Sequence, residues 1–279
     1  MPSIPLEPLV SMEIVRVMPE DVQLLHDVVA TEVPVTIVAG GVEVATMMAT
    51  PEGLDDLARG FLVTSGLLAP EDLGSVAVDT DAWRVVVETA RAVDPALLVR
   101  RTYSSGCGKG VVFASALEAE LPPLPEAWQV DAQAVFALVH AFRRHSELHQ
   151  ATGGVHSVAL ARAREMLVVC DDVGRHNALD KAVGQALRRK VSLAQTMAVT
   201  TGRIAAEIVH KCRRAEIPMV VSLGATTHQA VLTARRFGVT LVAFARQGRF
   251  SIFAGPKRVA AGAFPELLPT GRGYSETGT

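Results

Sequence analysis

Residues 197–222 read MAVTTGRIAAEIVHKCRRAEIPMVVS. Two short apolar runs, 197-MAVT-200 and 219-MVVS-222, bracket a helical stretch over 203–215. Strand, helix and strand in that order make a βαβ unit, whose two strands lie parallel in one sheet. The alternation continues on both sides. Strands at 157-SVALA-161, 167-LVVC-170 and 240-TLVAFA-245 are interleaved with helices near 178–189 and 227–237. The fold class is therefore α/β, with a mostly parallel sheet covered by helices. Only a short ARARE turn separates the first two strands, so these are expected to pair as an antiparallel hairpin.

Upstream, 32-EVPVTIVAGGVEVATMMAT-50 places Gly40-Gly41 between two β-rich runs, a hairpin signal. In 53-GLDDLARGFLVTSGLL-68, Leu54, Leu57, Ala58, Phe61 and Leu62 recur at helical spacing. The run 83-WRVVVET-89 reads as a strand, and 131-DAQAVFALVHAFRRHSELHQ-150 as a helix with Val135, Leu138, Val139 and Phe142 on one face. Between them, 119-AELPPLPEAWQV-130 carries three prolines. Proline lacks a backbone donor and restricts its neighbour, so this stretch is the predicted linker. The chain divides into a smaller α+β unit, 1–122, with a mobile cysteine loop over 102–111, and an α/β unit, 123–279. Residues 1–30 show no pattern.

Composition excludes several classes. There are 27 basic and 29 acidic residues, a net charge of −2, so no basic excess points to nucleic acid. Three cysteines without framework spacing argue against a disulfide scaffold and for a reducing compartment. The start, MPSIPLEPLVSMEIV, has no basic n-region. No apolar run approaches the ~18 residues that span a bilayer. The cytoplasm is the expected location.

Polar residues gather where the strands end. DDVGRHNALDK follows 167–170, TGRIAAE follows 197–200, LGATTHQA follows 219–222 and RQGRF follows 240–245. Three of these segments also open a helix, whose free N–H groups favour an anion. Arg175, Arg203, Arg246 and Arg249 are expected to converge there, and the guanidinium fork suits phosphate. The blander alternative makes Thr201 and Asn177 plain helix caps, with Asp180 completing a box.

The cysteines differ. Cys170 ends an apolar strand and Cys212 lies beside Ile208 and Val209 in a helix; both read as buried thiols. Cys107 stands in 104-SSGCGKG-110, with Lys109 after it and Arg100-Arg101 before. Flanking glycines expose the sulfur, and the cations favour its thiolate, the nucleophilic form. The loop is not a P-loop, because Gly110 follows Lys109 where a hydroxyl is needed. No zinc-deaminase signature occurs, so no metal site is expected.

The motifs MATPEGLDDLARGFL, SSGCGKG, TGGVHSVAL, DDVGRHNALDK, TTGRIAAEIVHK and TLVAFARQGRF together resemble the formate dehydrogenase accessory sulfurtransferase family, FdhD, from about residue 32 to residue 256. The resemblance implies an enzyme that takes sulfur from a cysteine desulfurase as a persulfide on Cys107. It implies transfer of that sulfur to the bis-molybdopterin guanine dinucleotide cofactor before insertion into formate dehydrogenase. It further implies a cytidine deaminase-like three-layer C-terminal domain without the zinc chemistry, and a homodimer. The family's cofactor-binding stretch falls on Phe244, Ala245, Arg246, Gln247, Gly248 and Arg249. Thr201, Gly202 and Arg203, with the loop 224–227, are expected to help hold the guanine nucleotide. The family loop often has a second cysteine where this chain has Gly110, which puts a two-thiol relay in doubt. His156 and His176 are read as structural. The alternative function is a chaperone that shelters the molybdenum cofactor without carrying sulfur.

Overall fold

The computed structural model describes residues 7–99, 101–103, 111–113 and 120–261. Strands β1 (Leu9–Met18) and β2 (Asp21–Ala30) form an antiparallel ribbon that joins no other described strand. Val15, Val17, Val22 and Leu24 share one face of it and remain 61–73% exposed. Burial does not impose an apolar/polar alternation here, which is why residues 1–30 show no strand signal.

Strands β3 (Val33–Ala39) and β4 (Val42–Ala49) close on the expected hairpin, with φ of 55° and 81° at Gly40 and Gly41. With β5 (Leu73–Asp79) and β6 (Arg84–Thr89) they form a four-stranded sheet, β4-β3-β6-β5, in which β3 and β6 are parallel. Helix α1 (Leu54–Thr64) lays its predicted apolar stripe on that sheet, against Val33, Val35, Ile37 and Val85. Each large side chain so buried contributes about 1.5–3 kcal/mol. Strands β7 (Arg101–Tyr103) and β8 (Val111–Phe113) pair antiparallel. Cys107 and the rest of 104–110 fall between them, outside the described residues.

The proline-rich stretch carries no regular element over 120–129. The guanidinium of Arg258, 1% exposed, donates to the carbonyls of Leu124, Pro125 and Gly238. Short strands β9 (Val130–Asp131) and β16 (Val259–Ala260) then pair in parallel. The helix predicted over 131–150 is two helices, α2 (Ala132–Phe142) and α3 (Glu147–Thr152). The apolar stripe stops at Phe142, so Arg143–His145 have nothing to bury, and the Ser146 hydroxyl caps α3 by accepting from His149 N at 2.9 Å.

The larger sheet has six strands: β10 (His156–Arg162), β11 (Glu165–Asp172), β12 (Met197–Thr200), β13 (Met219–Ser222), β14 (Thr240–Arg246) and β15 (Arg249–Ala254), in the order β11-β10-β12-β13-β14-β15. Only β12, β13 and β14 run parallel, which corrects the mostly parallel expectation. The β10–β11 and β14–β15 turns are too short for a crossover, and β15 is a strand beyond those expected. Period-two alternation gives each face its own core. Val158, Leu160, Ala198, Val220 and Leu241 meet helices α4 (Arg175–Arg188), α5 (Ala206–Arg214) and α6 (His228–Phe237). Ala159, Ala161, Val199, Val221 and Val242 meet α2.

The two sheets are joined through α1 and α4. Their contact is so close that a Cβ on Gly60 would overlap the Asp180 carbonyl, and one on Gly184 the Asp56 carbonyl. Two buried ion pairs, each with a threonine, flank the crossing. Lys181 Nζ lies 2.6 Å from Asp172 and donates to the Thr50 hydroxyl at 2.6 Å. Lys211 Nζ donates to both Asp180 oxygens at 2.7 Å, while the Thr64 hydroxyl donates to Asp180 at 2.6 Å. Arg188 forks onto Asp56 with two 2.8 Å bonds. Buried charges paired and hydrogen-bonded in this way fix register as much as they stabilise.

Candidate anion-binding site

The C-terminal ends of β12, β13 and β14 are tied into one rim by short polar bonds. Ser157 N donates to the Thr201 hydroxyl at 3.0 Å, and Gly202 N to the Thr200 hydroxyl at 3.0 Å. The Ser222 hydroxyl donates to the Gly202 carbonyl at 2.6 Å and accepts from Gly224 N at 2.9 Å. Ile204 and Thr226 form a parallel bridge below. Thr201 is thus a rim residue, not a helix cap: α5 starts at Ala206, five residues later. Asn177 is no cap either. Gly174 holds that position, and the Asn177 amide donates to Met48 O and Asp172 Oδ1 instead. Asp180 closes no box; it is the buried partner of Lys211.

At the end of β14 a bulge interrupts the ladder between Ala243 and Arg246. Phe244 takes φ 55° and donates its N–H to the Gly224 carbonyl at 2.8 Å. The bulge re-aims the strand end: Ala245 packs toward α2 and Phe244 toward the opposite core. Gln247 and Gly248, at φ 55° and 73°, then turn the chain, leaving Arg246 and Arg249 as register partners.

Two cavities open at this rim. One of about 520 Å³ is lined by Ser157, His156, Thr201, Gly224 and Arg246. The other, about 670 Å³, lies between α2 and the β14–β15 turn, and its lining includes all of Ala245–Arg249. Arg143 and Arg246 line both, and among the described residues neither lining contains a carboxylate. Among the described residues, none of Arg143, Arg164, Arg246 and Arg249 makes an ion pair.

Of the four arginines expected to converge, Arg246 and Arg249 do. Arg203 is exposed and lines neither cavity, and Arg175 packs its stem against Gly202. Arg143 and Arg164 take their places. Nothing in the strand-end pattern signals them, because one comes from the end of α2 and the other from the β10–β11 turn. The Arg143-Arg144 doublet after an apolar stripe is the one available hint.

The floor is neutral and polar. The Ser157 hydroxyl is buried and has no hydrogen-bond partner among the described residues. His156, with Nδ1 3.4 Å from the Thr201 hydroxyl, is held below the usual histidine value by burial and then by Arg175 and His149, against the pull of Asp172. His176 is buried beneath, its value pushed well down by burial and by Lys211 and Arg175. It lines neither cavity. Cys212 is buried, as the sequence suggests, whereas Cys170 is only half-buried; desolvation lifts both to about 12, so each stays a protonated thiol. No group of three or more His, Cys, Asp or Glu among the described residues could hold a metal ion. No described helix is long and apolar enough to cross a membrane.

Comparison with known proteins gives the site a context. The profile of the FdhD/NarQ family matches residues 30–260. The sulfur carrier protein FdhD of Xanthomonas campestris pv. campestris (strain B100) is 36% identical over 249 residues, covering 85% of this chain and 88% of that protein. That of Shouchella clausii (strain KSM-K16) is 34% identical, covering 84% of this chain and 91% of that protein. A crystal structure described as a formate dehydrogenase accessory protein from Desulfotalea psychrophila matches with a TM-score of 0.77 at 25% identity, covering 91% of this chain and 100% of that one. The chain belongs to the FdhD/NarQ family.

Proposed function

We propose that the protein is a sulfur carrier for formate dehydrogenase maturation, as the names of its relatives indicate for them. Cys107 accepts a sulfane sulfur from a cysteine desulfurase and holds it as a persulfide. The substrate that receives it is the bis-molybdopterin guanine dinucleotide cofactor. Its phosphates are held at the rim by Arg246 and Arg249, with help from Thr201, the residue of the 201–203 stretch that lines a cavity. On transfer the S–S bond breaks, Cys107 returns to the thiolate, and the metal centre supplies two electrons and keeps the sulfide. Holding the cofactor close makes this step intramolecular, where positioning contributes most.

The observation that carries the reading is the cluster of guanidiniums, without an ion pair or a lining carboxylate among the described residues, around these cavities. Like charges converge at a cost unless a polyanion neutralises them. Cys212, buried, and Cys170, half-buried, are both held protonated and offer no competing thiolate.

The test is the intact mass of the protein after incubation with a desulfurase and cysteine, with and without reductant. A reductant-labile gain of one sulfur is expected in the wild type, Cys170→Ala and Cys212→Ala, and its absence in Cys107→Ala. No gain in the wild type, with guanine nucleotide still bound, would leave a cofactor chaperone without sulfur transfer.

A further inference from the structure

The cavity floored by Ser157 holds a hydrogen-bonding pattern that phosphate does not satisfy. Successive residues of β10 face opposite sides of the sheet. Ala159 and Ala161 meet α2, so Ser157, in step with them, points into the same layer, where Phe142, Ser146 and His149 continue the lining. Ser157 is 1% exposed, and its hydroxyl has no partner among the described residues. A buried hydroxyl left so costs about 1–3 kcal/mol. The Ser157 backbone is already engaged with Thr201: its N–H donates to the Thr201 hydroxyl at 3.0 Å, and its carbonyl accepts from Thr201 N at 3.1 Å. Alanine would hold the strand as firmly, so the fold does not require the hydroxyl.

His149 sets the second half of the pattern. Its Nδ1 stands 2.6 Å from the Val155 carbonyl. A carbonyl oxygen only accepts, so Nδ1 carries the proton, and the neutral ring keeps Nε2 as an acceptor. Ser146 is committed elsewhere: its hydroxyl donates to Asp171 at 2.7 Å and accepts from His149 N at 2.9 Å. The cavity thus offers one hydroxyl that donates or accepts and one imidazole nitrogen that accepts. A diphosphate brings acceptors alone and leaves that nitrogen unmet. The guanidiniums of Arg143 and Arg246 are shared with the neighbouring cavity. The part of a ligand that fits the floor is uncharged, carries N–H groups as well as acceptors on its edge, and is apolar enough on its faces to lie against Phe142 and Leu223. About 520 Å³ holds a fused ring of that kind.

We propose that this cavity is the pterin subsite for the molybdopterin cofactor. The uncharged heterocycle meets the Ser157 hydroxyl and the His149 ring, and the phosphates that follow it leave between Arg143 and Arg246. This rests on the cofactor reading above and adds to it the residues that recognise the organic ring next to the metal.

Isothermal titration of the full-length protein with neopterin, a soluble pterin without phosphate, and with guanosine diphosphate tests the assignment. The wild type is expected to bind neopterin at millimolar concentration or below, whether or not guanosine diphosphate is present. Ser157→Ala is expected to weaken neopterin about fivefold and to leave guanosine diphosphate within twofold. Its melting temperature is expected to equal or exceed that of the wild type, because the orphan hydroxyl is gone. Equal neopterin binding by wild type and Ser157→Ala, or displacement of neopterin by guanosine diphosphate, would put the pterin elsewhere and overturn the proposal. A lowered melting temperature in Ser157→Ala would give the hydroxyl a task in the fold and overturn it as well. If guanosine diphosphate binds the wild type and neopterin does not, the proposal fails while the cofactor reading stands. If guanosine diphosphate does not bind the wild type at millimolar concentration, the cofactor reading fails and takes the proposal with it.

Discussion

Gly60 and Gly184 lie against each other's helices where α1 crosses α4, each with a carbonyl of the opposite helix where a Cβ would stand. A methyl group at either site forces the helices apart and opens the buried pairs beside them. Gly60→Ala and Gly184→Ala are each expected to destabilise the protein by about 3 kcal/mol, although alanine is the better helix former. Chemical denaturation measures this; a neutral or stabilised variant would mean the crossing relaxes freely.

The pair Lys211–Asp180 gives a second prediction. Lys211→Met leaves Asp180 buried with only the Thr64 hydroxyl, and the expected loss is about 3–5 kcal/mol. Adding Asp180→Leu removes the stranded charge, so the double variant is expected to be more stable than the single one. A double variant worse than Lys211→Met would show that the pair contributes beyond mutual neutralisation.

Stability is expected to fall as pH drops below the ordinary histidine value of 6.5. His156 and His176 have lowered values in the fold. Below 6.5 the unfolded chain takes up protons that the folded one refuses, so unfolding is favoured, by up to about 1.4 kcal/mol per pH unit per histidine. Urea midpoints between pH 7.5 and 5 read the slope, and His176→Gln is expected to flatten it. An unchanged slope in that variant would assign the acid sensitivity elsewhere.

Arg246→Gln separates stability from binding. Relieving the charge opposite Arg249 is expected to stabilise the fold by a few tenths of a kcal/mol, while weakening pyrophosphate binding about tenfold or more. A variant that loses stability as well as binding would make Arg246 part of the scaffold.

Native-state alkylation at pH 7.5 addresses the thiols. Cys170 and Cys212, raised to about 12, are expected to react only on unfolding. Mass mapping of a brief iodoacetamide pulse checks this; rapid labelling of Cys212 would contradict its burial, and rapid labelling of the half-buried Cys170 would contradict its raised value.

Much of this architecture is legible in the sequence, for identifiable reasons. Gly40-Gly41 and the β12–α5–β13 unit rest on local turn chemistry and burial period, and both appear as read. The break at Ser146 is missed because Arg143–His145 continue a helical composition after the buried stripe has ended. The β1–β2 ribbon is missed because its valines face solvent. The rim is legible at Arg246 and Arg249, which follow a strand. Arg143 and Arg164 are not, because only the packing of α2 across the sheet brings them there. Thr201 illustrates a subtler limit: a threonine before a helix suggests a cap, but its hydroxyl is already committed to Ser157 N.

The Arg258 clamp changes what the proline-rich connector can tolerate. With Leu124, Pro125 and Gly238 all accepting from one buried guanidinium, the segment that looks like slack tether is a strut of set length. Surface loops ordinarily absorb insertions at little cost; here an added residue would pull two carbonyls off their donor and strand a charge in the interior. Length variation among homologous chains should accordingly avoid 122–126 and collect elsewhere, and a chimera joining the halves of different relatives should keep this stretch and its arginine from the same parent.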